Sequence, residues 1–249
     1  MADFLQPDLC VIGAGSGGLT VVATARSLGA SVVLVEQGLM GGDCLNTGCV
    51  PSKALIAASK RAHSIQHAGI FGVATDEMRV NFGRIHEHVH QVIAEIAPHD
   101  SVERFEAMGA TVLQTRGEFI DKRTLKAGDQ LIRARRFVVA TGSRAAVPPI
   151  PGLDQVEYLT NETIFDLTRK PQHLIVIGGG PIGMELAQAH RRLGCEVTVI
   201  EMAEPRPRDL DGMARIGGVG AKKLENSPDN HVKYAKNIQN LRQMNASHC

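Results

Sequence analysis

Short apolar stretches followed by glycine-rich turns mark two places in the chain. LCVI (9–12) and LIVI (174–177) have the continuous apolar character of buried strands, and each precedes a stretch compatible with a helix. SVVLVE and EVTVIE then return as β-branched strands. Residues 9–36 align on residues 174–201 without a gap, at an offset of 165 positions. Each copy therefore predicts a strand, a tight turn, a helix and a second strand of a parallel sheet.

The segment between the two copies predicts two helices and several short strands. We expect helices at 52–67 and 82–108, the second interrupted at Pro98 because proline cannot continue the hydrogen-bond ladder. Residues 111–121 and the turn at 127–130 predict antiparallel strands. RFVVATGS (136–143) predicts a buried strand that ends in a glycine turn.

The proline-rich run VPPIPG (147–152) is the best candidate for a domain boundary. We therefore divide the chain into a domain at 1–150, the start of a second domain at 151–203, and a tail at 204–249. The tail is rich in charge, proline and glycine, which predicts loop or disorder. Apolar residues at helical spacing within it predict a short amphipathic helix at 232–244.

Charge and composition exclude several classes of protein. The 249 residues contain 27 Lys and Arg against 26 Asp and Glu, so no global field recruits nucleic acid or an anionic membrane. The N-terminus lacks the pattern of a secretory signal, and no apolar run approaches the roughly 18 residues of a membrane span. A cytoplasmic location is the default expectation. Five cysteines, an odd number, do not suit a disulfide-stapled scaffold.

Both turns carry the glycine spacing of a dinucleotide-binding site. Their residues are Gly13, Gly15 and Gly18 with Glu36, and Gly178, Gly180 and Gly183 with Glu201. The first glycine permits the tight turn, the second admits a pyrophosphate, and the third lets the helix pack closely on the strand. The acid that closes the second strand can accept hydrogen bonds from ribose hydroxyls. Two dinucleotides are therefore expected.

The sharpest motif is GGDCLNTGCVPSK (41–53), in which Cys44 and Cys49 flank four residues at the opening of a predicted helix. A helix N-terminus lowers a thiol pKa and favours the nucleophilic thiolate, so the pair is a candidate for redox chemistry. The rival interpretation is a structural zinc site, but such a site takes four ligands and the chain has no second cysteine pair.

Together these motifs resemble those of the class I pyridine nucleotide–disulfide oxidoreductases, over residues 8 to about 203. The resemblance rests on both glycine turns, the cysteine motif and the A-T-G strand end at Ala140–Gly142. It implies a Rossmann-like FAD-binding domain followed by the first βαβ unit of an NAD-binding domain. It also implies a Cys44–Cys49 disulfide, with Cys49 near the flavin and Cys44 as the interchange thiol.

The resemblance assigns further residues to the two cofactors. FAD would take the first turn and NAD the second, and Lys53 would pair with Glu185 beside the flavin ring. The residues expected to line FAD are Gly13, Gly15, Gly18, Glu36, Gly41, Gly42, Lys53, Gly117, Thr141 and Gly142.

The implied activity passes electrons between a small-molecule dithiol or disulfide, FAD and NAD(H), as in the dihydrolipoamide dehydrogenase type. Glu201 favours NAD because a carboxylate repels the 2′-phosphate of NADP, whereas Arg206 and Arg208 could bind that phosphate. The alternatives are a relative of mercuric reductase and a flavin-binding fragment without turnover.

Several of the family's later segments do not occur in this sequence. The missing parts are a G-D segment that contacts FAD, a C-terminal His-Pro…Glu pair and the interface domain of the family homodimer. We therefore expect the chain as given to bind FAD weakly and not to sustain turnover.

Three of the ten histidines, His86, His88 and His90, invite comparison with a metal site. On a helix, His86 and His90 share a face while His88 points elsewhere, so three ligands would require another partner. A solvated helix face is the preferred interpretation, and no metal site is predicted.

Overall fold

The computed structural model describes residues 4–74 and 76–201, and the backbone of 233–235. The α-helices are α1 (Ser16–Ser27), α2 (Gly42–Asn46), α3 (Cys49–Gln66), α4 (Phe82–Ile96), α5 (Val102–Ala107) and α6 (Pro181–Arg192). The strands are β1 (Phe4–Leu5), β2 (Leu9–Ile12), β3 (Val32–Glu36), β4 (Thr111–Gln114), β5 (Gly117–Phe119), β6 (Leu125–Ala127), β7 (Gln130–Ile132), β8 (Arg136–Val139), β9 (His173–Ile177), β10 (Glu196–Ile200) and β11 (Lys233–Ala235). Short 3-10 turns lie at Ala68–Phe71, Ala97–Asp100, Leu153–Gln155 and Ile164–Asp166.

The chain forms two compact units. The first comprises Met1–Lys53 and His86–Leu167, and the second comprises Ala54–Ile85 and Thr168–Cys249. The division of the chain at residues 150 and 203, made from the sequence, stays a prediction.

A parallel sheet with the strand order β4-β3-β2-β8 forms the centre of the first unit. Side chains alternate along a strand, so β3 is apolar on both faces. Leu34 packs with Val22 of α1 and Phe105 of α5 on one face. Val33 and Val35 belong to a separate cluster on the other face. Apolar runs without polar alternation are therefore what this sheet requires.

A second sheet of the first unit has the order β1-β7-β6-β5. β6 and β7 form the hairpin predicted around residues 127–130, with Gly128 in the left-handed region at φ 60°. The antiparallel strands predicted in residues 111–121 are confirmed for β5, which pairs with β6, and wrong for β4, which pairs in parallel with β3. Its half-buried Val112 and Leu113 pack against the two clusters around β3, which local sequence does not reveal.

The second unit repeats the β2-α1-β3 arrangement as β9-α6-β10. Shifting the β2–β3 residue pairs by 165 positions reproduces the β9–β10 pairs, and α1 and α6 begin and end 165 positions apart. The internal repeat inferred from sequence is therefore confirmed as a structural repeat. On the edge strand β9, Ile175 and Ile177 are 48% and 40% exposed.

The predicted helices between the repeats are confirmed with small shifts of their ends. The helix expected at 52–67 is α3, which begins three residues earlier, at Cys49. The helix expected at 82–108 is broken where Pro98 enters the turn Ala97–Asp100, between α4 and α5.

Lys233–Ala235 form β11, which pairs in parallel with β10. The amphipathic helix predicted at 232–244 is therefore wrong for these three residues, and its other positions lie outside the described residues. The cause is tertiary, because a sheet edge offers backbone groups that pair with any extended segment. Within the described part of the chain, no helix is long and apolar enough to cross a membrane.

Leu34 should contribute much of the stability of the first unit, because its side chain is fully buried at the centre of the sheet. We expect Leu34→Ala to lower the free energy of unfolding by about 2–5 kcal/mol. Leu28→Ala is the matched control, since Leu28 is 81% exposed. Urea denaturation of both variants checks this expectation, and equal losses would contradict it.

Candidate functional site

The first glycine turn joins β2 to α1. Gly13 adopts φ 106°, and its N–H donates to the Val35 carbonyl at 2.8 Å. A Cβ at Gly18 would overlap the Gly13 carbonyl, so the helix can approach the strand only with glycine here. Gly15 caps α1 without a side chain, and no acid lies in the first turn of the helix. The N-terminal N–H groups of α1 are thus not capped by a neighbouring side chain, which suits an anion.

Glu36 reaches back to the same turn. Its carboxylate accepts hydrogen bonds from the Ala14 N–H at 2.5 Å and the Gly38 N–H at 2.6 Å. A carboxylate has about four acceptor sites, so two backbone bonds leave capacity for ribose hydroxyls. Glu36 therefore holds the turn, and its role in binding a ribose stays a prediction.

The strand end after β8 packs directly on this turn. The Ala140 N–H donates to the Ile12 carbonyl at 2.8 Å, and a Cβ at Gly13 would lie 2.7 Å from the Ala140 carbonyl carbon. Gly142 then adopts φ 68° and lies exposed. Thr141 and Gly142 are thereby brought to the carboxyl edge of the parallel sheet, beside the first glycine turn.

The cysteine segment approaches the same edge through glycine backbone. Gly15 and Gly41 form a parallel β-bridge, and the Gly41 N–H donates to the Ala14 carbonyl at 2.9 Å. A Cβ at Gly42 would lie 2.6 Å from the Gly15 Cα. A side chain at Gly42 would push the two segments apart, which explains why glycine occupies this position.

Two helices hold the cysteines, where the sequence predicted the opening of one. Cys44 lies in the short α2, and Cys49 is the first residue of α3. Gly41 and Gly42 adopt φ 84° and 55°, which turns the chain into α2. Asn46 ties α2 to the preceding loop by donating to the Met40 carbonyl at 3.0 Å.

The two sulfurs interact. Cys44 is half-buried and Cys49 is exposed, and both are free thiols here, so the Cys44–Cys49 disulfide stays a prediction. A hydrogen bond with the Cys49 thiol raises the pKa of Cys44, and desolvation, the Cys49 charge and the Asp100 carboxylate raise this pKa further. The lowered pKa expected at a helix N-terminus is thus wrong for Cys44, because the neighbouring sulfur and burial outweigh the helix.

Two other described cysteines have inert surroundings. Burial raises the pKa of Cys10 in β2 to about 12 and the pKa of Cys195 before β10 to about 11. Thiolate is the reactive form, so both should be unreactive in the folded protein. Cys10 and Cys195 are therefore poor candidates for redox chemistry.

The remaining predicted residues of the first unit lie in different settings. Gly117 opens β5, where a Cβ would lie 3.3 Å from both Val35 and Leu125. Lys53 is exposed on α3 and is the last residue of the segment Met1–Lys53 of the first unit. Glu185 is exposed on α6 of the second unit, so the Lys53–Glu185 pair stays a prediction.

The second glycine turn repeats the geometry of the first. Gly178 adopts φ 110° and donates to the Ile200 carbonyl at 2.8 Å, and Gly180 caps α6 without a side chain. A Cβ at Gly183 would lie 3.2 Å from Val176. Glu201 turns toward the loop, since a Cβ at Gly179 would lie 2.6 Å from its carboxylate. Arg206 and Arg208 lie outside the described residues.

Sequence reasoning missed two acids near the cysteines. The Asp43 carboxylate would lie 4.0 Å from a Cβ on Gly142, and Thr47 donates to it at 3.4 Å. Asp43 lies inside the cysteine motif and could have been noticed there. Asp100 follows α4 and has no local signal, because only the fold brings it close enough to Cys44 to raise its pKa.

A profile of the pyridine nucleotide-disulphide oxidoreductases matches residues 7–227. The chain belongs to this family. The family is FAD-dependent and uses NAD(P)H. The close glycine approaches around the first turn fit such a group, because each of them keeps side chains away from the N-terminus of α1.

Relatives within the family carry two kinds of name. The chain is 34% identical to a mercuric reductase of Bacillus cereus over 82% of its own length and 32% of that protein. It is 37% identical to a mercuric reductase of Streptomyces lividans over 77% of its length and 42% of that protein. A mitochondrial dihydrolipoyl dehydrogenase of Schizosaccharomyces pombe is 35% identical over 82% of this chain and 42% of that protein.

A solved structure shares the fold. It is a Cu(II) complex of the HOCl-induced flavoprotein disulfide reductase RclA from Escherichia coli, with a TM-score of 0.70 and 27% identity. The match covers 91% of this chain and 48% of that protein. The chain thus spans between about a third and a half of the length of these relatives.

The raised pKa of Cys44 predicts how fast this thiol is alkylated in the reduced protein. A raised pKa means less thiolate at a given pH, so Cys44 should react slowly while Cys49 is present. Cys49→Ala removes the hydrogen bond and the charge, and the alkylation rate of Cys44 at a fixed pH just above neutrality should rise severalfold.

Mass spectrometry of iodoacetamide-treated protein measures these rates. Cys195→Ala is the control and should leave the Cys44 rate unchanged, while Cys10 should stay unlabelled until denaturant is added. A slower Cys44 in Cys49→Ala would contradict the interpretation.

Proposed function

We propose that the chain carries the flavin-binding and dithiol portion of an FAD-dependent, NAD-linked disulfide oxidoreductase. The main support for this proposal is the parallel β-bridge between Gly15 and Gly41. It joins the first glycine turn to the segment that contains Cys44. A dinucleotide at this turn and a redox pair on the next segment would share one edge of the sheet. That arrangement suits electron transfer between them.

The first turn is the proposed FAD site. The exposed N-terminus of α1 would hold the pyrophosphate, and Glu36 would hold the ribose. Thr141 and Gly142 would line the cofactor from the end of β8. When bound, FAD would accept two electrons from the reduced cysteine pair and deliver them to NAD as a hydride.

We propose that the Cys44–Cys49 pair, while it is oxidised to a disulfide, exchanges with a dithiol substrate. A substrate thiolate attacks the Cys44 sulfur, the Cys44–Cys49 bond breaks, and its electron pair leaves on the Cys49 sulfur as a thiolate. The second substrate thiol then loses its proton and attacks the substrate sulfur of the mixed disulfide, so that the bond from this sulfur to Cys44 breaks and Cys44 takes its electron pair and a proton. The substrate leaves as a disulfide, and Cys44 and Cys49 together hold the two electrons.

The hydrogen bond between the two thiols supports this division of roles. It raises the pKa of Cys44, so the proton stays on this sulfur. The Asp100 carboxylate adds negative charge near Cys44 and raises the same pKa. The choice of Cys44 as interchange thiol follows the family resemblance.

Two types of oxidoreductase compete at the level of substrate. We favour the dihydrolipoamide dehydrogenase type, because Glu201 lies at the second turn, where its carboxylate would repel a 2′-phosphate. The mercuric reductase type is supported equally by relatives at 34% and 37% identity. Whether the chain alone sustains turnover, and whether it forms the family homodimer, stay predictions.

Gly17→Asp tests the FAD site. Gly17 is exposed in the first turn of α1, and a Cβ there meets nothing within 4 Å. A carboxylate here favours the helix through its dipole but repels a bound pyrophosphate, so FAD affinity should fall about tenfold or more without loss of thermal stability.

Gly17→Ala is the matched control and should keep its FAD affinity. In the second unit, Ile182→Asp occupies the equivalent position, and Ile182 is 65% exposed. Ile182→Asp should weaken the binding of NADH and leave the binding of FAD unchanged. Fluorescence titration of each variant with both ligands measures the effects, and FAD binding that ignores Gly17→Asp would contradict the assignment.

Glu201→Ala tests the choice of nicotinamide cofactor. We expect the parent chain to bind NADH more tightly than NADPH, and the variant to narrow this preference because the repelling carboxylate is gone. Glu196→Ala, at the opposite end of β10, is the control and should keep the preference. Calorimetric titration measures the affinity for both ligands, and a parent that binds NADPH more tightly than NADH would contradict the assignment of NAD.

A further inference from the structure

His86 and His90 lie one turn apart on α4, with ring centroids 4.0 Å apart. His90 Nε2 lies 3.6 Å from an Asp166 carboxylate oxygen. A ligand atom of His86, one of His90 and one of Asp166 all lie within 4.8 Å of one another. Across residues 4–74 and 76–201, this is the one such group of three. The sequence left His86 and His90 without a third ligand, and the fold supplies Asp166.

We propose that His86, His90 and Asp166 bind a divalent transition-metal cation of the zinc type. Two imidazole nitrogens and one carboxylate oxygen form a donor set that suits Zn²⁺ and its borderline neighbours, whereas Mg²⁺ and Ca²⁺ prefer oxygen alone. Three protein ligands would leave one coordination position for water. The same residues could form a plain ion pair, which the experiment below distinguishes.

The contact that the Nδ1 atom of His90 makes with backbone supports a role for His90 as a metal ligand. Its Nδ1 lies 2.9 Å from the His86 carbonyl oxygen, so the Nδ1–H donates there and the Nε2 lone pair faces Asp166. A ring that donates its other N–H to a backbone carbonyl is the usual arrangement of a metal-bound histidine, because it fixes the tautomer and the ring orientation.

The ligands are held by buried neighbours. Val89, beside His90 on α4, is 2% exposed, and Ile164 and Phe165, just before Asp166, are 6% and 8% exposed. The Asp166 N–H also donates to the Thr163 carbonyl at 3.1 Å. Ligands at about 2.0–2.1 Å from zinc stand roughly 3.3 Å apart in a tetrahedral site, so His90 and Asp166 need to move only slightly.

The chain contains a matched control pair. His63 and His67 on and after α3 are also four residues apart, with ring centroids 4.1 Å apart. His67 Nδ1 lies 2.9 Å from the His63 carbonyl oxygen, as in the first pair. Within the described residues, His63 and His67 belong to no three-ligand group. They therefore offer a histidine pair at the same spacing that is not part of such a three-ligand group.

The test is calorimetric titration of the full chain with Zn²⁺ and with Mg²⁺. Cys44→Ser/Cys49→Ser serves as the parent, so that the thiols do not bind zinc themselves. The parent should bind Zn²⁺ in preference to Mg²⁺, and His90→Ala and Asp166→Asn should each weaken zinc binding about tenfold or more. His67→Ala should bind zinc as the parent does.

Thermal unfolding distinguishes a variant that has lost the zinc ligand from a variant that is misfolded. Asp166 is 66% exposed in its side chain, so Asp166→Asn should keep the metal-free Tm, and Zn²⁺ should raise the Tm of the parent but not of this variant. Zinc binding unchanged in both His90→Ala and Asp166→Asn would overturn the proposal. So would an equal loss in His67→Ala, or Mg²⁺ binding as tight as Zn²⁺ binding.

Discussion

The site depends on how closely three backbone segments approach one another at the carboxyl edge of the first parallel sheet. Gly13 packs on Ala140, and Gly42 packs on Gly15, at distances that no side chain would allow. These approaches bring together the N-terminus of α1, the strand end at 140–142 and the helix that carries Cys44. The glycines are therefore a steric requirement of the site, and Glu36 adds two hydrogen bonds that fix the turn.

The second unit shows that the same glycine turn forms without the cysteine segment. β9, α6 and β10 reproduce the register and the helix ends of β2, α1 and β3, although most of the side chains differ. What the copies share is apolar strands, three glycines and a closing acid. The cysteine motif follows only the first copy in the sequence, so the proposed redox chemistry is an addition to a strand–turn–helix–strand unit that forms without it.

Features set by short-range rules could be predicted from the sequence. Pro98 ends α4 wherever the chain goes next, and three glycines at fixed spacing impose the turn after β2. Features set by distant residues could not be predicted. β4 is parallel because it pairs with β3. Asp100 raises the pKa of Cys44 only because the fold brings the two residues together. Asp166 lies near His86 and His90 because of the 3-10 turn that ends at Asp166. The pKa of Cys44 was mispredicted because a helix terminus was weighed without the neighbouring sulfur.

The central claim is that Cys44 and Cys49 form the redox couple of this oxidoreductase. Peptide mapping under non-reducing conditions tests it most directly, on chain purified without reductant and again after treatment with dihydrolipoamide. We expect an intramolecular Cys44–Cys49 bridge that the dithiol opens, with Cys10 and Cys195 as free thiols throughout. A native bridge that uses Cys10, Cys195 or Cys249, or a Cys44–Cys49 bridge that the dithiol cannot open, would contradict it.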